Sequence, residues 1–179
     1  VAVNIEKGSF GQLNGSVTAE KEFENSSVIA HVGVLASDGY RYNSDYTNKN
    51  YLLKGVFNKK KQPIEMLATF FDKKFGANGF YASATATEQY EETQSSLLGV
   101  STTFKTEKFK ITPRIYWKRG QDEYVYIRDN PSVYRNLHIT NKVGAETNVS
   151  YRSDIGITGF GIDISRVFIS SNNLGNRKR

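Results

Sequence analysis

Few residues in this chain are of the types that do chemistry. His31 and His138 are its only histidines. Neither has a second His at a ligand spacing, and there is no Cys among the 179 residues. A closed N/S metal site needs about four such ligands, so no metal ligand is assigned. Without Cys there is also no disulfide and no thiolate nucleophile. Gly156, Gly159 and Gly161 do not make a phosphate loop, because a phosphate loop opens a helix and none follows. In a strand they mark tight curvature or a close backbone approach. Glu91-Glu92 and Asp122-Glu123 are adjacent carboxylates, the raw material of acid–base pairs, but carboxylates in exposed loops are usually solvated. No Ser lies in a nucleophile elbow or a comparable setting. The set of catalytic residues is therefore empty, and the expectation is a protein that is not an enzyme and holds no cofactor. The sequons Asn25-Ser26-Ser27 and Asn148-Val149-Ser150 are too short and frequent a motif to carry weight. Tyr, Arg and Lys enrich the polar segments, as in single-strand binders. The basic residues are too dispersed for that, so no nucleic-acid partner is expected.

The elements explain more than the chemistry does. The stretch Leu137–Ile169 organises the chain. Ile139, Asn141, Val143, Ala145, Thr147, Val149 and Tyr151 share one parity, and Thr140, Lys142, Gly144, Glu146, Asn148 and Ser150 the other. After Arg152-Ser153-Asp154 the pattern repeats, with Phe160, Ile162, Ile164 and Phe168 against Gly161, Asp163 and Ser165. Period-2 alternation gives each strand one apolar and one wet face, and two such arms with a tight turn form a long hairpin. The same alternation runs through Val1–Lys7, Leu13–Phe23, Val28–Ala36, Tyr51–Asn58, Ile64–Phe71, Glu92–Lys105 and Phe109–Lys118. The fold class is therefore all-β, an antiparallel up-and-down meander of about nine long strands. It forms a single unit over residues 1–179.

Apolar residues make up only 38% of the chain, yet aromatics reach 13% and the net charge is +6. No run of about 18 apolar residues exists, so helical spans are excluded, whereas barrel spans alternate and remain open. The joints are short at 24–27, 59–63, 106–108 and 152–155 and long at 37–50, 73–91 and 119–137. Only the first joint, near Gly8, departs from this alternation. Short turns at one end and long loops at the other is the plan of an outer-membrane barrel. Two other readings compete with a transport barrel. One is a soluble β-sandwich that binds carbohydrate or another ligand, and the other is a small structural barrel. The abrupt strand-like start and end suggest a piece of a longer protein. Cut free in water, such a sheet is expected to curl into a small barrel or sandwich that buries Val143, Ile162 and Ile164.

Four segments carry a resemblance. They are Ser37-Asp38-Gly39-Tyr40-Arg41-Tyr42-Asn43-Ser44-Asp45-Tyr46, Lys74-Phe75-Gly76-Ala77-Asn78-Gly79-Phe80-Tyr81, Ile115-Tyr116-Trp117-Lys118-Arg119 and Asn130 through Asn141. In this order the chain resembles the barrel of TonB-dependent outer-membrane receptors, Bacteroidetes type, near the cobalamin and iron-complex receptors. Such barrels close about 22 strands around a plug, so the resemblance covers part of a barrel, with no plug domain. It implies active uptake of a bulky nutrient complex such as cobalamin, haem or a ferric chelate. It also implies a Gram-negative outer-membrane location with multi-pass strands, lipid as a partner, and TonB engaged through a plug and amino-terminal part. The loop residues that match the family's ligand-binding aromatics and polar groups are Tyr40, Arg41, Tyr46, Phe80, Tyr81, Trp117, Arg119, Tyr124, Tyr126 and Tyr134.

Overall fold

In a computed structural model, which describes residues 1–81 and 83–178, the chain forms one antiparallel sheet. Its strands are β1 (Ala2–Lys7), β2 (Leu13–Glu22), β3 (Ser26–Ser37), β4 (Tyr46–Phe57), β5 (Ile64–Gly76), β6 (Tyr90–Thr102), β7 (Phe104–Lys105), β8 (Phe109–Val125), β9 (Arg135–Ser153), β10 (Gly156–Ser171) and β11 (Gly175–Lys178). Each strand pairs with the next, except that β7 is a short extra piece beside β8. The all-β meander read from the sequence is the observed fold, with eleven strands in place of about nine.

Both added strands have physical reasons. The stretch read as one strand, Glu92–Lys105, is broken after Thr102. The gap lies opposite Pro113 and Thr112 of β8, between the pairs Ser101↔Arg114 and Phe104↔Ile111. Proline has no N–H for the ladder, so β6 ends and β7 resumes in the same register. The other addition, β11, is a short polar strand on β10, from Phe168↔Lys178 to Ser171↔Gly175. It lacks the apolar alternation that marks the other strands.

Several strands run further than expected. β8 has 17 residues and β9 has 19. Their continuation through Arg119–Glu123 and Arg135–Asn136 is polar on both faces, which reads in sequence as loop. The backbone ladder nevertheless continues, pairing Arg119↔Asn141 through Val125↔Arg135. The long joints thus shrink to 38–45, 77–89 and 126–134. They lie at one end of the sheet, as the alternating joint lengths require. The tight turns at 8–12 and 172–174 share that end.

Register aligns the parities into continuous faces. One row runs Ala19, Ala30, Leu53, Ala68, Leu98, Trp117 and Val143 across β2 to β9. The next row toward the short turns holds Val28, Gly55, Met66, Val100, Ile115, Ala145 and Ile164. From Phe109 to Trp117 the strand advances about 27 Å, at ~3.4 Å per residue. With a tilt near 40° this spans roughly 20 Å, close to the ~25 Å apolar band of outer-membrane barrels. Aromatic pairs sit at the margins of the band: Tyr51 with Phe70 at 6.0 Å and Phe109 with Tyr151 at 4.9 Å. The opposite face carries Arg114 paired with Glu146 at 2.5 Å and Lys54 with Glu65 at 3.8 Å. On that face the ring of Tyr116 covers the buried Gly144.

The sheet does not close. β1 and β11 are its two edges and do not pair with each other. The expected curl into a small barrel or sandwich is therefore not adopted. Val143, Ile162 and Ile164 are 50%, 51% and 71% exposed. A single sheet has no second layer against which to bury an apolar face, so these side chains stay uncovered. For the same reason a two-layer sandwich is not observed among the described residues.

Candidate functional site at the long-loop end

The packed core lies at the end of the sheet and not under it. Apart from glycines, the buried residues among those described are Ala77, Ala86, Gln89, Val125 and Ser171. All are at the long-loop end, where three loops converge.

Arg128, on the loop after β8, holds this end together. Its guanidinium donates to both carboxylate oxygens of Asp45 at 2.6 and 2.9 Å and to Asn43 Oδ1 at 3.1 Å. A bidentate Arg–carboxylate pair fixes direction as well as distance. The guanidinium also lies 4.3 Å over the ring of Tyr90. Asn43 takes a positive φ of 48°, a conformation that Asn tolerates better than most residues. This turns its amide to donate to the Thr87 and Gln89 carbonyls at 2.8 and 2.7 Å. A Cβ on Gly76 would stand 2.5 Å from the backbone of Asn43, so the close crossing of these two loops requires glycine. Asn78 adds a bond to the Tyr42 carbonyl at 2.6 Å.

The bonds from Arg128 hold the Asp45 carboxyl below the usual carboxylate range, outweighing its partial burial. They raise the guanidinium in turn. The Tyr90 hydroxyl is pushed up to about 12, first by burial and then by its hydrogen bond to Glu92. Tyr81 is also raised, by burial and by donation to Glu91.

Beside this clasp is an aromatic group. Phe80 meets Tyr81 at 4.7 Å, Tyr81 meets Tyr124 at 5.5 Å, and Tyr124 meets Tyr134 at 6.2 Å, all edge to face. The fully buried Gln89 donates to the Tyr124 hydroxyl at 2.5 Å and accepts from the Tyr81 backbone N–H at 3.3 Å. Tyr124 pairs in register with Glu91 and Asn136. The group therefore lies over the charged face, at its rim. Phe80 is 74% exposed and Tyr134 47%, leaving an amphipathic contact surface on a rigid base.

The other expected site residues are distributed differently. Tyr40, 66% exposed, packs on Phe10 at 6.2 Å and carries Arg41 over its ring at 5.0 Å, a separate group beside the first turn. Tyr46 begins β4 opposite Ser37 and Phe75. The Tyr126 N–H donates to the Tyr134 carbonyl at 3.0 Å, tying the ends of the third loop. Trp117 and Arg119 do not join any loop group. Register places both on the apolar side of β8, with Leu98 and Val143 beside Trp117. Trp117 Nε1 donates to Asn141 at 3.2 Å and Arg119 to Gln121 at 3.1 Å. Both lie on the side of β8 opposite Tyr124, which has the other parity.

Sequence reasoning missed Arg128, Asn43, Asp45 and Gln89. An Asn-Ser-Asp turn was a local signal for the first loop, but nothing local to Arg128 marked its partners. The adjacent carboxylates do not form pairs. Glu91 faces the Tyr124 side while Glu92 takes Lys74 at 3.1 Å on the other. Asp122 and Glu123 alternate in the same way, and Glu123 takes Arg135 at 2.5 Å. His31 bonds Thr18 at 2.7 Å and His138 bonds Asn136 at 2.8 Å. No group of three or more His, Cys, Asp or Glu poised for a metal exists among the described residues.

No known family matches the sequence, and no curated protein matches it. Among solved structures, the copper transporter OprC superposes with a TM-score of 0.78 over 94% of this chain, at 14% identity. The likeness is one of fold. This chain spans 28% of that transporter's length.

Proposed function

We propose that the chain is an arc of the wall of an outer-membrane transport barrel. In this reading the apolar face meets lipid, the charged face lines the lumen, and the clasped loops form the outer rim. The single observation that carries it is the apolar band, edged by aromatics, on a sheet with all its long loops at one end. The fold shared with a transporter supports it. Among the described residues no helix is long and apolar enough to cross a membrane. The transported cargo is a bulky nutrient complex such as cobalamin, haem or a ferric chelate, and uptake is driven through TonB, as the resemblance implies. The rim residues that meet it are Phe80, Tyr81, Tyr124 and Tyr134, with Tyr40, Arg41, Tyr46 and Tyr126 around them. Trp117 and Arg119 belong to the lipid-side belt.

The chain has no Cys, so single cysteines report cleanly. In outer membranes, Val143→Cys, Ile162→Cys and Ile115→Cys are expected to react only with lipid-soluble maleimide. Glu146→Cys and Asp163→Cys are expected to react with the water-soluble reagent. Uniform reaction of both sets with the water-soluble reagent overturns the barrel reading.

A further inference from the structure

The apolar band carries charge in one place only across β8 to β11. On the lipid-side parity, the row Trp117–Val143–Arg166 is followed by Arg119–Asn141–Phe168–Lys178 and then by Gln121–Ile139–Ser170–Asn176. These rows hold three cations and no carboxylate. Among the described residues none of the three makes an ion pair. Arg119 meets only the neutral Gln121, and the Arg166 guanidinium lies 5.3 Å over the Phe168 ring. Their neighbours Lys74 and Arg135, further up the same face, are by contrast both neutralised by carboxylates.

Below the cations the same strands are free of charge, with Ile115–Ala145–Ile164, then Pro113–Thr147–Ile162, then Ile111–Val149–Phe160. Cationic side chains above a wide greasy patch, flanked by Trp117 and Phe168, fit a molecule with acyl chains and an anionic head. At ~4.8 Å between strands and ~6.8 Å between like-facing residues, Arg119 and Arg166 stand roughly 12 Å apart and Arg166 and Lys178 roughly 8 Å. That spacing spans a single headgroup. Arg prefers phosphate through its planar fork, and cations at a membrane surface attract anionic lipid.

We infer that Arg119, Arg166 and Lys178 form a site for a phosphorylated lipid, with its phosphates on the cations and its acyl chains on the Ile115–Ile164 patch. The inference rests on the barrel reading, because it needs this face to lie in lipid. Trp117 and Arg119 act here as part of a lipid site, distinct from the loop group.

The test uses the intact barrel protein in nanodiscs of phosphatidylcholine doped with either diphosphorylated lipid A or its dephosphorylated form. Lipid retained on the protein is counted by native mass spectrometry after gentle release. Retention of the phosphorylated lipid over the dephosphorylated one is expected. Each of Arg119→Gln, Arg166→Gln and Lys178→Gln is expected to reduce it about fivefold, and the triple variant on the order of a hundredfold. The charge-matched control Lys110→Gln/Lys118→Gln/Lys142→Gln, on the opposite face, is expected to leave it unchanged. Equal retention of the two lipids, or an equal effect of the control, overturns the site. A fluorophore on Ile164→Cys in the same discs separates the two levels. Quenching by brominated acyl chains without headgroup preference removes the lipid site alone, whereas no quenching removes the barrel reading with it.

Discussion

Arg128 does more for the candidate site than any residue of the aromatic group, because its guanidinium reaches from its own loop to an acid and an amide on another. Removing it leaves the Asp45 carboxylate and the Asn43 amide oxygen without their donors. Charge-assisted bonds contribute about 1.5–3 kcal/mol, and the pair is about a third exposed on each side (35% and 36%), which screens it. Arg128→Ala is expected to lower the free energy of loop opening by about 1–2 kcal/mol. Hydrogen exchange at the amides of Gly76, Ala77 and Asn78 would show it, and strand amides should be unaffected. The pH dependence has a definite sign. Asp45 is depressed in the folded chain, so its contribution is complete above the ordinary carboxylate value near 4. It is lost as pH falls below that through the folded value. Loop protection is therefore expected to be flat from about pH 7 to 5 and to drop only in stronger acid. None of this was legible locally. Tyr81 and Tyr124 could be picked out as loop aromatics, but Arg128 gains its meaning from Asp45, 83 positions away.

At the scale of strands the sequence was far more informative. The parity of β9 and β10 named the apolar face residue by residue, and the register places Val143, Ala145, Ile162 and Ile164 where that parity required. The strand extensions are not legible in the sequence because hydrophobic alternation reports burial on one face, and above the band both faces are wet. The split of β6 from β7 was traceable to Pro113, yet a proline signals in the strand that carries it and acts on the strand opposite. The alternation yields a paired prediction. In the barrel reading, Ile164→Arg puts a charge on the apolar face at mid-band and is expected to cost about 2–4 kcal/mol of folding free energy in a bilayer. Ser165→Arg, one residue on, faces the other way and is expected to change it by less than about 0.5 kcal/mol. Urea titration of the protein in liposomes measures both, and equal costs would contradict the assigned faces.

As a whole molecule the chain is an open arc with two unsatisfied edges, β1 and β11, and a bare apolar face. Exposed edges recruit strands and exposed apolar patches associate. The 20.2 kDa chain is accordingly expected to run as large assemblies in buffer and as β-rich monomers in detergent, by multi-angle light scattering. A monodisperse monomer in plain buffer would show instead that the face finds a way to cover itself. One consequence of the Arg128 clasp reaches beyond stability. Because the guanidinium from one excursion is matched to an acid and an amide on another, and these lean on the backbone of a third, the three cannot be exchanged one at a time. A chimera that borrows a single excursion from a distant homologue strands a charge or a donor. Transplanting all three together is expected to keep the set whole.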